Sequence, residues 1–294
     1  MSRPLLDLVR SFADTHADRF GAASTPVPGL TAIRATQPGE LQVAVNRPLV
    51  AMLLQGAKRV TIGAETLEFG PGESLLISAD VPTVSQITQA TLGAPYYSLV
   101  LELDPVLMRE LAVEIAAVPG DPRKPVRVEP TDADVADVAL RLMRLLDRPF
   151  ALPVLQGPLL REFHFWLLAG RHGSALRSLG GADGHSQRIA RAVAMIRGSY
   201  AARPIRIEEL AEAAGMSTSS FHQHFRQTTT LSPLQFQKQL RLIEARRQML
   251  ADGTSVSSAA YAVGYESVPQ FTREYGRLFG KPPARDIRRA QMAA

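Results

Sequence analysis

The 294-residue sequence contains no cysteine. Disulfides, thiolate metal sites, thiol nucleophiles and cysteine-based redox sensing are thereby excluded, and a reducing, cytoplasmic setting is the expectation. Histidine is scarce where it would matter most: the six residues stand at positions 16, 164, 172, 185, 222 and 224, so residues 17–163 hold none. Long apolar runs are missing too. The longest, "LVAMLL" before Gln55, is far short of the roughly 20 residues of a membrane-spanning helix, and no membrane partner is expected. The first twenty residues carry Asp7 and Asp14 where a signal peptide would need an apolar run. Leu5, Leu8, Val9 and Phe12 fall on one helical face, so the segment reads as a short helix of the mature protein.

What is present is divided unequally along the chain. Residues 187–294 hold 16 Lys and Arg against 8 Asp and Glu, a balance of +8, whereas residues 1–186 hold 17 against 20, a balance of −3. A basic C-terminal part suggests a polyanionic partner, with a solvated basic surface as the bland alternative. From Gly29 to about Asp104 short strand-like runs such as "LVAMLLQ", "AKRVTIG" and "ESLLIS" are separated by turn residues, the pattern of a small antiparallel barrel or sandwich. After a helical stretch, "LDPVLMRELAVEI", the segment "AVPGDPRKPVRVEPTD" reads as a loop. Two amphipathic helices follow, the first with Val135, Val138, Leu142, Leu145 and Leu146 on one face. Such helices need an apolar surface, supplied by the barrel, a second subunit or both. A small, polar stretch around Gly180 marks a domain boundary.

An internal repeat lies beyond it. "LAEAAGMSTSSFHQHFRQTTTLSP" (residues 210–233) matches "AAYAVGYESVPQFTREYGRLFGKPP" (residues 259–283), pairing Gly215 with Gly264, Phe221 with Phe271, Phe225 with Tyr275 and Pro233 with Pro283. Each copy reads as helix, turn, helix. The glycines occupy positions that need positive φ after a helix, and Ser217 and Ser267 are expected N-caps, with Ser267 and Gln270 spaced as a capping box. Pro269 falls in the first turn, where a missing N–H costs little. With Phe221 and Phe225 buried, the opposite face presents Ser219, His222, Gln223 and Arg226. With Phe271 and Tyr275 buried, it presents Val268, Pro269, Thr272 and Arg273. Short polar and basic side chains of this kind reach base edges and phosphates in a major groove.

The segment from about Arg188 to Arg288 resembles the DNA-binding domain of AraC/XylS transcription regulators, which has two helix-turn-helix units joined by a long helix. "PLQFQKQLRLIEARRQML" matches the bridging helix, with Leu240, Ala245 and Met249 expected inward. The resemblance implies double-stranded DNA as partner, with recognition helices in successive major grooves about 34 Å apart. The implied contact residues are Ser217, Ser219, His222, Gln223, Arg226, Ser267, Val268, Thr272 and Arg273. Val268 and Pro269 depart from the longer polar residues common in the family, so the second unit is expected to read bases mainly through Thr272 and Arg273.

The strand-rich part, with "LLQGAKRVTIGAETLEFGPGESLLISADVPT", resembles the cupin-like N-terminal domain of one AraC subgroup. Metal cupins use clustered His and a Glu. No histidine is available here, and Thr83 stands after "VP" where many metal cupins place His. No metal, cofactor or catalytic residue is therefore expected, and the protein is not expected to be an enzyme. His164 and His172 read as packed or surface residues of a helical region. The resemblance implies a small-molecule effector instead, with Arg34, Gln86, Tyr96 and Tyr97 as pocket candidates and a filled scaffold as the alternative. The fold class is α+β: a cupin-like β-barrel with a helical extension, then an all-α domain with two helix-turn-helix units. Its parts are a barrel over residues 1–118, a helical dimerisation or packing region over 119–180, a linker over 181–187 and the DNA-binding domain over 188–290. A homodimer is expected, with RNA polymerase as a possible further partner. A regulator without an effector, controlled by partner proteins or abundance, is the alternative, and a cupin enzyme fused to a DNA-binding tail the remote one.

Overall fold

A side-chain period of two sorts the N-terminal strand residues onto two faces, and along the central strands both faces are buried. The computed structural model describes residues 3–39, 41–62, 65–115, 126–180, 185–201 and 205–292. The chain divides into two units, Met1–Gln42 with Asn46–Gln187 and Arg188–Ala294 with Val43–Val45. Among the described residues, no helix is long and apolar enough to cross a membrane.

In the first unit, β1 (Ala22–Ser24), β2 (Leu30–Ala35), β4 (Leu49–Gln55), β7 (Glu73–Ile77), β9 (Tyr96–Glu102) and β10 (Val126–Pro130) form a six-stranded sheet in the order β1-β2-β9-β4-β7-β10. A second sheet, in the order β3-β8-β5-β6, contains β3 (Gln42–Asn46), β8 (Val81–Gln89), β5 (Ala57–Ile62) and β6 (Glu65–Phe69). The barrel is thus two sheets rather than one closed ring of paired strands. Leu53, Val60, Phe69, Leu75, Ile87 and Tyr96 share one apolar cluster between them. The alternate residues Val50, Met52, Leu76, Tyr97, Leu99 and Leu101 join a second cluster on the other face of the six-stranded sheet.

Helices cover that other face. α1 (Arg3–His16) buries Leu5, Val9 and Ala13, with Leu8 and Phe12 packed against the same cluster. α2 (Pro105–Glu114) starts where the Asp104 carboxylate accepts from the Val106 N–H at 2.7 Å, with Pro105 in its first turn. α3 (Ala133–Leu145), α4 (Leu152–Ala169) and α5 (Gly173–Gly180) complete the layer, and Val135, Val138, Leu142, Phe163, Leu167 and Leu176 enter the same core. The amphipathic faces seen in the sequence therefore bury against their own sheet. His164 is packed: its Nδ1 lies 2.7 Å from the Leu160 carbonyl and its Nε2 accepts from the Asp104 N–H at 3.0 Å. Burial depresses its pKa, and accepting at Nε2 makes it the neutral Nδ1–H tautomer. His172 is buried too, at 3% exposure.

The structure corrects the reading of residues 117–132 as loop. Val126–Pro130 is a strand at the edge of the six-stranded sheet, antiparallel to β7 with Val126 opposite Ile77 and Val128 opposite Leu75. Val126 and Val128 point to the inter-sheet cluster, and an edge position tolerates the prolines that disguised the strand. The helical region over 119–180 thus contains part of the sheet. Residues 117–125 of that loop, and 181–184 of the linker, lie outside the described residues. The remainder of the expected linker, 185–187, is already the first turn of a helix.

Candidate nucleic-acid interface

Apart from the strand residues Val43–Val45, the described elements of the second unit are helices. α6 (His185–Ser199) leads into α7 (Ile207–Ala213) and α8 (Thr218–Thr229); α9 (Pro233–Ala251) leads into α10 (Val256–Ala262) and α11 (Val268–Phe279); α12 (Pro283–Met292) closes the unit. Gly215 and Gly264 have φ of +61° and +85°. The Ser217 and Ser267 hydroxyls accept from the backbone N–H of Ser220 and Gln270 at 3.3 and 3.4 Å, capping α8 and α11.

The reciprocal half of a capping box is absent at Ser267. Gln270 instead donates to Glu274, while Ser232 and Gln235 form the complete box at the start of α9. Spacing alone does not decide between these sites, because Glu274, one turn beyond Gln270, competes for its amide.

The aromatic seam forms as the spacing predicts. Phe221 and Phe225 meet with tilted rings, centroids 5.4 Å apart, and Phe225 meets Phe236 of α9 edge-on at 5.7 Å. In the second copy Tyr265, Phe271, Tyr275 and Phe279 form a chain of ring contacts at 5.3, 5.5 and 4.3 Å. Ala245 and Met249 of α9 are buried as expected, and Leu240 is partly so.

The repeat is longer than the sequence match. Arg188 of α6 donates to the Gly215 carbonyl at 3.4 Å, and Arg241 of α9 donates to the Gly264 carbonyl at 3.1 Å. Each arginine thus ties down the turn of its own copy. The buried residues that follow run in step: Ile189, Ala192 and Ile196 on α6, and Leu242, Ala245 and Met249 on α9. The unit is two three-helix modules, and α9 is the first helix of the second as well as the bridge. The shared i, i+3, i+7 spacing after Arg188 and Arg241 was the available signal.

The two turns differ in what surrounds them. A Cβ on Gly264 would lie 2.6 Å from the Ala201 carbonyl oxygen and 3.1 Å from Arg241, whereas one on Gly215 would meet nothing within 4 Å. Gly215→Ala is expected to cost about 1 kcal/mol, the left-handed backbone penalty alone. Gly264→Ala is expected to cost at least about 2 kcal/mol, because the backbone must also shift. Urea unfolding of the two variants measures the difference.

On the face opposite the seam, Ser219, His222, Gln223 and Arg226 of α8 are exposed; on α11, Arg273 is exposed, and Ser267, Val268 and Thr272 are half-buried. Many cations of the unit are engaged internally: Arg191 on the Ala213 carbonyl, Arg246 and Lys281 on Asp286, Lys238 on Glu274 and Arg247 on Glu244. No described residue pairs with the side chains of Arg226, Arg273 or Arg277. Arg277, exposed one turn beyond Arg273, was overlooked in the sequence, although the i, i+4 rule places it on the same face. Ser217 and Ser267, although caps, keep a hydroxyl hydrogen to donate to a phosphate oxygen.

The four pocket candidates do not come together. Arg34 and Tyr97 face the helices: the Tyr97 hydroxyl donates to Asp14 of α1 at 2.7 Å, and the Arg34 Nε lies 2.6 Å from the same carboxylate. Gln86 lies opposite exposed Arg59 on the outer face of the second sheet and donates to the Gly39 carbonyl at 3.1 Å. Tyr96 alone points between the sheets. Tyr96 and Tyr97 are neighbours on one strand, so their side chains had to part. Thr83, at the position of a metal-cupin histidine, is buried and accepts from the Asn46 amide at 2.7 Å.

Comparison with known proteins follows this division. A family described as AraC-type transcriptional regulator N-terminus matches residues 26–175, and a helix-turn-helix domain family matches residues 210–289. The helix-turn-helix-type protein YneL of Escherichia coli strain K12 is 64% identical over 39 residues, 13% of this chain and 66% of YneL. The transcriptional activator RhaS of Salmonella arizonae is 34% identical over 86 residues, 29% of this chain and 31% of RhaS. The chain thus spans under a third of that activator's length. Among solved structures, unsaturated-fatty-acid-bound ToxT from Vibrio cholerae strain SCE256 superposes with a TM-score of 0.59 at 9% identity, over 88% of this chain and 93% of ToxT. ToxT from Vibrio cholerae O395 gives 0.56 at 11% identity, over 88% and 96%. At these identities the likeness is one of fold. With just over half of its length matched by the first family and the helix-turn-helix family covering most of the rest, the chain belongs to the AraC-type transcriptional regulators.

Proposed function

We propose that the protein binds promoter DNA through α8 and α11 and that a small molecule held in the N-terminal unit controls this binding. One observation carries the DNA-binding part. Two capped helices, each anchored by a buried aromatic seam, present short polar side chains and unpaired arginines on the opposite face. Gln223 and Arg273 are the base readers, through the bidentate contacts their side chains make in the major groove. Ser217, Ser267, Arg226 and Arg277 hold phosphates. Ser219, His222, Val268 and Thr272 complete the contact surface. The effector part is supported by ToxT, a protein of like fold solved with an unsaturated fatty acid.

Two copies acting together fit the exposed apolar side chains Phe150, just before α4, and Val154 and Leu155 in its first turn, which are 84%, 70% and 46% exposed. Contact with RNA polymerase from the DNA-bound state completes this reading, together with a cytoplasmic location.

The test is fluorescence anisotropy of the full-length protein on DNA from upstream of its own and neighbouring genes, at several salt concentrations. Affinity is expected to fall steeply with salt as arginines displace phosphate counterions. Gln223→Ala and Arg273→Ala are each expected to cost about 1 to 3 kcal/mol on the specific site and to relax preference at one base position. Equal losses on every DNA sequence would assign these side chains to phosphate alone.

A further inference from the structure

Lys58 occupies a position where a lysine is costly. On β5 it alternates with Val60 and Ile62, both in the cluster between the sheets. Its cross-strand partners are Phe69 on β6 and Ile87 on β8, members of the same cluster. The ammonium therefore extends inward, while its neighbour Arg59 faces out and pairs with Glu68. No hydrogen bond or ion pair joins Lys58 to any described residue. The residue nevertheless keeps part of its surface accessible.

We propose that the space between the two sheets binds a small, mainly apolar carboxylate whose charged end pairs with Lys58 and whose body lies against Phe69, Ile87 and Tyr96. The proposal rests on the reading that the N-terminal unit holds an effector, and it names the ligand's chemistry. An unpaired cation among apolar groups is stabilised most by an anion that brings its own apolar surface, since the pair then forms where water competes little. Burial lowers the Lys58 pKa from 10.5 to about 8, which still leaves most of the side chain protonated at neutral pH. Tyr96, whose hydroxyl meets Ser98, adds a polar group from the facing six-stranded sheet. Gly56 gives that ring room, because a Cβ there would come within 3.1 Å of it.

The experiment is isothermal calorimetry and thermal shift on the full-length protein with benzoate, phenylbutyrate, hexanoate and decanoate, each beside its methyl ester, followed by DNA binding with every compound. At least one acid is expected to bind and raise the unfolding temperature, its ester at least tenfold more weakly. Lys58→Met and Lys58→Gln are both expected to weaken the acid at least tenfold, and Lys58→Met to raise the unfolding temperature of the ligand-free protein. Failure of every acid to bind, equal binding of acid and ester, or indifference to both substitutions would overturn the proposal. The effector reading is judged separately. An acid that binds through Lys58 without changing DNA affinity leaves the site standing and removes its regulatory role, whereas an ester that changes DNA affinity in both variants keeps the regulation and removes the Lys58 site.

Discussion

Replacing Asp286 with alanine is expected to lower the stability of the C-terminal unit by about 3 to 5 kcal/mol, the range for breaking a buried ion pair from one side. The carboxylate has no exposed surface. It accepts from the Tyr275 hydroxyl at 2.6 Å and from the Arg246 Nε at 2.7 Å, and Lys281 Nζ lies 3.1 Å away. Its removal leaves Arg246, itself only 19% exposed at the side chain, without its partner while packed over the Phe279 ring. The group ties α9, α11 and α12 together, so its loss loosens the seam that fixes the second recognition helix. Denaturant unfolding of the full-length protein, with hydrogen exchange to separate the two units, measures the effect.

The pH dependence has a definite sign. Burial alone would raise the Asp286 pKa, but the bonds from Arg246 and Tyr275 and the nearby Lys281 outweigh it and hold the carboxyl below its ordinary value. A carboxyl depressed on folding contributes stability that is fully present above its unfolded value, about 3.9, and is lost as pH falls through the lower folded value. The stability gap between wild type and Asp286→Ala should therefore narrow as pH falls below the unfolded value and through the lower folded one. A gap that persists there would mean that lost packing, rather than charge, sets the cost.

The second large effect is expected at Phe225. Its ring is fully buried against Phe221 and Phe236, and a buried Phe→Ala change costs about 3 to 5 kcal/mol through lost transfer energy and the cavity left behind. α8 would lose its anchor on α9. DNA affinity should then fall on specific and non-specific sequences alike, in contrast to Gln223→Ala, which should remove preference while leaving non-specific affinity nearly intact. Urea unfolding together with anisotropy on both kinds of DNA separates the two cases. A Phe225→Ala protein of wild-type stability would contradict the packing described for α8.

The helix-turn-helix repeat was legible in the sequence because its determinants act over a few residues. Gly215 and Gly264 supply positive φ, Ser217 and Ser267 cap the next helix, and aromatics four apart share one helical face. The reading stopped where spacing has two solutions: Gln270 had Glu274 as an alternative partner. It also stopped where similarity is structural rather than literal, since α6 and α9 share buried spacing and a turn-binding arginine but few identical residues.

By itself, then, the sequence determined the two-part organisation, the class of protein, the doubled unit and which helix faces stay polar, because helical periodicity, caps and turn glycines are local. Only the tertiary structure decided which strand faces look between the sheets. There Lys58 and Tyr96 point inward, while Arg34, Tyr97 and Gln86, equally plausible in sequence, belong to other surfaces. It also decided that Val126–Pro130 completes a sheet and that Asp286 meets Arg246 forty positions away. Alternation along a strand puts half its side chains on each face without saying which face will be covered. That choice is made by strand register and by the elements that arrive from elsewhere in the chain.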